Sequence, residues 1–552
     1  MTNKTYIKNT ALLFSAMAVT KIVGAVFKIP LANILGGTGM GYFSTAYNLY
    51  SPVFALTAAG VPTVIMRLTA KNIALGRRRN ALRTKKTGLL LFSAVGVFGM
   101  LSIWFFAAFF ANNIACSPNS FAAITAIAPA VLFCCIGAVI RGYYEGRYDV
   151  IPSVTANITE AVTRAIVGLA LSYGVVAYAK HCYEKGAEFL GATYTTYDES
   201  YAAALPWASA AAILAVTLSE LAGLIALLLS DKRKRKSIPV DNIPVDRRRN
   251  IAKTIFKELL PIAAFALVMN CFSFVDLLTV TRTLDSTIKN TPDYFMRAYP
   301  LVFSDGITID SLANFMYGSY TGIAMSLFML IPSFAGMTEK TAIPEIAAAW
   351  EKKDIVTLKS KISGLIKASA MIGFPACFGA YALAEPILGT LYPDRSAEVS
   401  VSINAFGVLC IGGIFMIVAS SLFGIFQAIG KGHIPLWIMT GTIVLKASMN
   451  CALLNIPQLG ITGASIATIC SYCAAMTAGY IIIHKMVRGV KIIRPILAPA
   501  LSAIACAFTA MCVYGSLTEL LGAFVSLFIA IISGGFVYVL LLILVMLFRQ
   551  LL

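Results

Sequence analysis

The sequence predicts an all-α polytopic membrane protein of about fourteen transmembrane helices arranged in two similar halves. Composition indicates this first, because 59% of the residues are hydrophobic and only 12% are charged, whereas soluble domains carry about 25% charged residues. A mean hydropathy of +0.81 is the second indication. The third is a repeat, since RGYYEGRYDVIP (Arg141 to Pro152) is matched half a chain later by GIFQAIGKGHIP (Gly424 to Pro435).

The individual helices are predicted from apolar segments long enough to cross a bilayer. Two similar halves in a membrane protein are typical of a transporter that rocks about a site between them. The predicted spans are 10–30, 43–66, 88–111, 121–141, 151–179, 201–230, 256–281, 312–337, 362–384, 398–428, 434–454, 460–483, 496–515 and 520–548.

Loop charges predict the orientation of these spans, because Lys and Arg accumulate on the cytoplasmic side. Residues 67–88 contain eight basic residues and no acidic one, and residues 230–258 contain ten basic against four acidic residues. The connections at 31–42, 112–120 and 455–460 carry no charge. Both termini are therefore predicted to be cytoplasmic, and the formal net charge of +19 indicates contact with anionic lipid headgroups rather than nucleic acid.

Cysteine usage gives no indication of a metal site or a redox cofactor. Most of the twelve cysteines fall inside predicted spans, which argues against a disulfide framework. Cys470 and Cys473 form a CxxC pattern within an apolar helix without nearby His or Cys partners, which favours packing. We expect no cofactor and no metal, and coupling to the membrane potential or to an unidentified ion stays open.

Ionisable residues inside the spans are the most direct functional indication, because each is costly unless it faces water or a partner. Lys21 and Lys28 lie seven residues apart in the first span, nearly on one helical face, and predict a cationic wall. Snorkelling to the interface is the alternative, and it suits Lys28 better than Lys21. Glu160 and Arg164 in the fifth span form an i, i+4 pair, either an internal salt bridge or a cavity group.

Three further charges lie within predicted spans. They are Glu220 in the sixth span, Asp276 in the seventh and Lys446 in the eleventh. A conduit rich in Lys and Arg suits an anionic cargo, above all phosphate or pyrophosphate, because ammonium and guanidinium groups bind phosphate oxygens well. Acidic groups such as Glu220 and Asp276 suit ion pairing or coupling to an ion.

Three stretches carry a resemblance to a known family. They are KIVGAVFKIPLANILGGTGMGYFSTAYNLY, AGVPTVIMRLTAKNIALGRR and IRGYYEGRYDVIPSVTANITEAVTRAIVGLAL. They resemble the polysaccharide-export branch of the MOP superfamily, in particular the group of MurJ-type lipid II flippases and stage V sporulation protein B relatives. The resemblance covers essentially the whole chain and implies a MOP/MATE-like fold in a bacterial plasma membrane.

This resemblance implies two pseudo-symmetric six-helix lobes, 1–230 and 256–486, joined by a basic cytoplasmic linker, 231–255. Two extra helices in 487–552 would form a groove for a lipid tail. It also implies that the first-helix basic residues, here Lys21 and Lys28, bind the headgroup of a polyprenyl-pyrophosphate-linked glycan, with Arg67 matching near the end of the second helix. Cell-wall synthesis proteins are the implied protein partners.

The function predicted in this way is that of a flippase for an undecaprenyl-pyrophosphate-linked glycan, above all lipid II, or for another polysaccharide repeat unit. A second class is a cation-coupled multidrug antiporter, which would rely on Glu220 and Asp276. A third is an intramembrane glycosyltransferase, but Asp293, Asp305 and Asp310 lie in one loop without a spacing that implies catalysis. We therefore expect a transporter and no catalytic residues.

Overall fold

The computed structural model describes residues 3–234, 245–490 and 492–551. These ranges contain thirteen helices long and apolar enough to cross a membrane. Within them, β pairing is limited to an isolated bridge between Phe189 and Ala192. In the first helix, the side chains up to residue 18 and those of Lys21, Ile22 and Ala25 lie outside the description. The predicted all-α membrane fold is confirmed.

The helices follow each other with short connections. Their bounds are α1 Asn3–Phe54, α2 Val61–Ala74, α3 Arg78–Phe109, α4 Phe121–Glu145, α5 Ile151–Glu184, α6 Tyr197–Lys234, α7 Arg248–Asn290, α8 Pro292–Ala298, α9 Pro300–Ser304, α10 Ile309–Ser319, α11 Met325–Phe328, α12 Leu330–Ala335, α13 Met337–Glu351, α14 Ile355–Ala382, α15 Ala384–Leu391, α16 Ser396–Ala428, α17 His433–Leu453, α18 Thr462–Met486, α19 Ile493–Leu521 and α20 Ala523–Leu551. Wider π-helical turns occupy Ala55–Ala59, Phe110–Ile114 and Tyr320–Ala324, and a 3₁₀ turn occupies Pro118–Ser120.

The first two predicted spans are joined in α1, which kinks at Gly36. Gly36 has φ 58° and ψ −172°, a conformation that glycine adopts without the steric penalty of a side chain. The predicted break between the first two spans is confirmed, because two helices meet end to end at Gly36 within α1. The rest of the predicted connection 31–42 is helical and mostly buried, with Leu31 and Leu35 fully so. The count of thirteen long helices treats the two parts of α1 as one stretch, where the sequence predicts two spans.

The RGYYEGR motif ends α4 and packs it against α2 and α3. A Cβ atom at Gly142 would lie 2.5 Å from the carbonyl oxygen of Pro62, so only glycine permits this close approach of α4 to α2. A Cβ atom at Gly424, the matching glycine of the second copy, would make an ordinary contact of 3.5 Å with Glu339. Close helix packing therefore requires the glycine in the first copy of the repeat, whereas the position of the matching glycine in the second copy has room for a Cβ atom.

The aromatic pair of the same motif encloses a buried lysine. Lys85 forms an ion pair with Asp231 of α6, and its ammonium lies 5.0 Å from the centre of the Tyr143 ring. The Tyr144 hydroxyl donates a hydrogen bond of 2.7 Å to Asp231. The sequence placed Lys85 in an exposed basic loop, but only 6% of the residue is exposed, because the carboxylate and the two rings compensate for its lost hydration.

The described chain packs as two compact units, residues 1–278 and 279–552. In the second unit, the carboxy-terminal pair of helices is attached to α14 and α15. The Tyr538 hydroxyl of α20 donates a hydrogen bond of 2.8 Å to the carbonyl of Met371, and Leu383 is buried in a cluster with Ala510, Leu527 and Ala530. The predicted lobe and linker boundaries (1–230, 231–255, 256–486 and 487–552) remain predictions.

Candidate functional site

The buried ionic residues of the first unit form pairs between helices. Arg141 of α4 donates to the carboxylate of Glu160 of α5, and Arg164 Nη2 of α5 lies 3.1 Å from Glu220 Oε1 of α6. The Glu160 and Glu220 side chains are only 12% and 14% exposed. The predicted alternative of a salt bridge between Glu160 and Arg164 within α5 is therefore wrong. Each of the two residues forms its ion pair with a residue of a neighbouring helix.

A thiol and a phenol extend these pairs to the first helix. Cys134 of α4 donates a hydrogen bond of 3.1 Å to Glu220 Oε2, and its sulfur lies 3.0 Å from the hydroxyl of Tyr50 on α1. Arg164 Nε also lies 3.4 Å from the hydroxyl of Ser219. The resulting network connects α1, α4, α5 and α6, so that a change in the ion pairing of Glu220 would affect the contacts of all four helices.

Two cavities adjoin the network. One of about 120 Å³ is lined by Arg141, Glu160, Glu220 and Cys134 together with apolar residues of α1, α2 and α4. The other, of about 330 Å³, is lined by Glu160, Arg164 and residues of α1 and α5. Glu160 lines both cavities, so its carboxylate faces open polar space as well as the Arg141 guanidinium.

Lys28 is half-buried on α1, beside this network. Its ammonium lies within electrostatic range of the Arg164 guanidinium. The neighbouring Phe27 packs against α5, where a Cβ atom at Gly168 would lie 2.7 Å from the phenylalanine ring. The structure thus brings Lys28 close to Arg164. Lys21 lies outside the described side chains.

The remaining predicted site residues occupy different environments. Arg67 has a side chain that is 75% exposed and a loose ion pair of 3.9 Å with Glu258, an arrangement of small energetic value. Asp276, on α7, is 3% exposed, and Lys446, on α17 in the second unit, is fully buried. Arg67 is thus accessible to solvent, whereas Asp276 and Lys446 are enclosed by protein.

Sequence reasoning missed three residues of the network. Arg141 entered the sequence analysis only as the first residue of the repeated motif. It is the one basic residue in the predicted span 121–141, and a basic residue inside a span is the pattern that could have identified it. Cys134 and Tyr50 carried no such signal, because a thiol and a phenol in an apolar helix are usually packing residues.

The network has two guanidinium groups and two carboxylates, and Lys28 beside it adds a third cation. Among the described residues, the cations are Lys28, Arg141 and Arg164, and the carboxylates are Glu160 and Glu220. Each guanidinium already has a carboxylate partner, whereas Lys28 lies next to another cation. An anion of two or more charges entering the 330 Å³ cavity would relieve this repulsion and could take the place of a carboxylate on Arg164.

Known proteins are similar to this chain along most of its length. Residues 6–182 match the profile of a family described as "Polysaccharide biosynthesis protein". Stage V sporulation protein B of Bacillus subtilis is 24% identical over 482 residues, which cover 85% of this chain and 82% of that protein. Lipid II flippase MurJ of the same organism is 21% identical over 496 residues, 87% of this chain and 82% of that protein. The resemblance found in the sequence is confirmed.

Solved structures establish the fold. A structure of lipid II flippase MurJ in an inward closed conformation has a TM-score of 0.67 at 13% identity and covers 98% of this chain and 99% of its own. An inward-facing multidrug resistance MATE family transporter of the MOP superfamily has a TM-score of 0.63 at 14% identity and covers 87% of this chain and 98% of its own. The chain therefore has the MOP fold.

Proposed function

We propose that this chain, a multi-pass membrane protein with the MOP fold and with stage V sporulation protein B and MurJ among its relatives, is a flippase for polyprenyl-pyrophosphate-linked glycans. Lipid II is the cargo that we infer, because a relative similar along most of the chain is itself a lipid II flippase. The cargo would pass from the inner to the outer leaflet by alternating access, and both termini would be cytoplasmic. Transport of this kind requires no covalent chemistry from the protein.

The observation that carries this proposal is a pair of neighbouring cations, Lys28 and Arg164, at the 330 Å³ cavity of the first unit. Arg164 and Glu160 line that cavity, and Lys28 lies within electrostatic range of Arg164. A pyrophosphate offers several anionic oxygens, and the fork of a guanidinium can bind two of them at once. A drug antiporter for organic cations would need the opposite sign of charge at this position.

The ion pairs suggest how binding would be linked to movement. If the pyrophosphate takes Arg164 from Glu220, the carboxylate loses its cation and the bonds that connect α1, α4 and α6 through Cys134 and Tyr50 must rearrange. Glu220 and Asp276 are the candidate coupling residues. The membrane potential could reset the empty protein, since moving one charge across it is worth about 2.3 kcal/mol per 100 mV.

Cation-coupled multidrug antiport is the second candidate, favoured by the likeness to the MATE transporter. Its weakness is that this structure covers 87% of the chain, whereas the MurJ structure covers 98%. Export of another polysaccharide repeat unit would use the same cavity and differ only in the glycan.

Complementation in cells tests the proposed function. In a bacterium depleted of its own lipid II flippases, expression of this chain should restore growth and normal cell shape. A matched strain producing the chain with Arg164→Ala should fail at equal protein abundance in the membrane. Absence of rescue by the unaltered chain, with the protein correctly inserted, would count against lipid II as cargo, and rescue of a capsule-export mutant instead would assign another glycan.

A further inference from the structure

The second unit contains a cavity of about 730 Å³, larger than the two cavities of the ionic network. It lies where α14 and α15 meet α16, α19 and the connection between α17 and α18. Its volume is within the range of about 300–1,000 Å³ that is usual for small-molecule sites. Its polar lining includes Tyr381, Glu385, Asn404, Gln458 and Tyr514.

The carboxy-terminal helices build one wall of this cavity. Met511, Tyr514 and Gly515 of α19 line it, and the helix is held there by the buried cluster of Leu383 with Ala510, Leu527 and Ala530, against which Tyr514 packs. Gly407 of α16 also lines the cavity, and a Cβ atom there would lie 3.5 Å from the Tyr381 ring. The cavity therefore depends on α19, and a larger side chain at position 407 would fill part of it.

The polar groups of the cavity are available to a ligand. In the part of the chain that the structure describes, the side chains of Tyr381, Glu385, Asn404 and Gln458 take part in no hydrogen bond or ion pair, and all four residues are exposed. Two amides and one carboxylate offer both donors and acceptors. Two tyrosine rings offer flat apolar faces next to them.

The charge of the lining decides which part of a lipid-linked glycan would fit. Its residues include one carboxylate, Glu385, and no lysine, arginine or histidine, so a pyrophosphate would be repelled rather than bound. Sugars present hydroxyl and amide groups around a ring with an apolar face, which suits amides and a carboxylate placed beside aromatic rings. Of the two polar parts of such a cargo, the lining therefore suits the sugars and not the pyrophosphate.

We propose that this cavity is a binding site for uncharged sugar residues, separate from the cationic site that takes the pyrophosphate. This inference rests on the proposed function, since a glycan-linked cargo gives the site its ligand. The cavity is lined by Gln458 and Leu459, within the uncharged connection that the sequence predicts on the outer side. The site would therefore hold the glycan on the side where the cargo is released.

Direct binding of a soluble glycan tests the site without transport. The full-length protein in lipid nanodiscs would be titrated with tri-N-acetylglucosamine, which has neither pyrophosphate nor lipid, and binding followed by saturation-transfer NMR. Asn404→Ala and Gln458→Ala should each weaken binding about fivefold, the value of one lost hydrogen bond. Gly407→Leu should weaken it at least as much by filling the cavity, and Asn290→Ala, an exposed amide outside the cavity, should leave it unchanged.

The outcomes separate this site from the proposed function. Loss of glycan binding in the cavity variants supports the site, and Arg164→Ala should retain binding because that residue belongs to the other unit. No binding by the unaltered protein, or equal binding by all variants, would overturn the site even if translocation is normal.

Discussion

Replacing Arg164 with alanine is expected to abolish transport and to destabilise the protein. The change leaves Glu220 buried without its cation, which costs about 3–5 kcal/mol for a fully enclosed pair. Because the Arg164 side chain is 29% exposed, we expect about 2–3 kcal/mol. The measurement is the free energy of unfolding in detergent micelles, together with translocation by the purified variant in vesicles.

A double variant separates the role of Arg164 in binding from its role in stability. Arg164→Leu combined with Glu220→Leu removes both charges and should recover most of the lost stability, to within about 1 kcal/mol. Transport should remain absent, because no guanidinium then faces the 330 Å³ cavity. Lys289→Ala, which breaks the exposed pair with Asp285, should change stability by less than about 0.5 kcal/mol. Normal transport by the double variant would make Arg164 a structural residue only.

Reversing the charge of Lys28 is expected to have the second large effect. In Lys28→Glu, the new carboxylate would lie within electrostatic range of Arg164 and compete with the pyrophosphate for it. We expect the rate of translocation to fall at least about tenfold, which corresponds to about 1.4 kcal/mol. The initial rate in vesicles containing equal amounts of folded protein is the measurement.

Two substitutions serve as controls for Lys28. Lys28→Arg keeps the positive charge and should retain most of the transport rate. Lys180→Glu makes the same change of charge at a position of α5 whose side chain is 59% exposed, and should have little effect. If Lys28→Glu and Lys180→Glu slow transport equally, total charge rather than the position of Lys28 is responsible.

Much of the fold was accessible from the sequence, because long apolar segments can satisfy their backbone hydrogen bonds in a membrane only as helices or closed barrels. The glycine-rich stretch LGGTGMG indicates a turn or bend between the first two spans, and the structure has its break there at Gly36. The sequence did not indicate that the residues on either side of Gly36 stay helical. Glycine permits a kink as readily as a turn, and the two differ only in how many residues leave the helical conformation. The buried position of Lys85 was equally inaccessible, since it depends on Asp231, far along the chain.

For the site, the sequence identified which charges lie inside the bilayer but not their partners. Glu160 and Arg164 are separated by four residues, and local rules favour a bridge between them. Their actual partners, Arg141 and Glu220, depend on how α4, α5 and α6 are rotated against each other. That rotation follows from packing, including the close approach at Gly142, which no local pattern encodes.

The most direct test of a cationic cavity that carries pyrophosphate-linked glycans is translocation by the purified protein. Lipid II with a fluorescent headgroup would be placed in both leaflets of vesicles containing the protein, and an external reductant that cannot cross the membrane would be added. Continuous flipping should expose the whole pool, so that fluorescence falls well beyond the outer-leaflet fraction, while Arg164→Ala vesicles stop at that fraction. Loss limited to the outer leaflet with the unaltered protein, or equal flipping by the variant, would contradict the account.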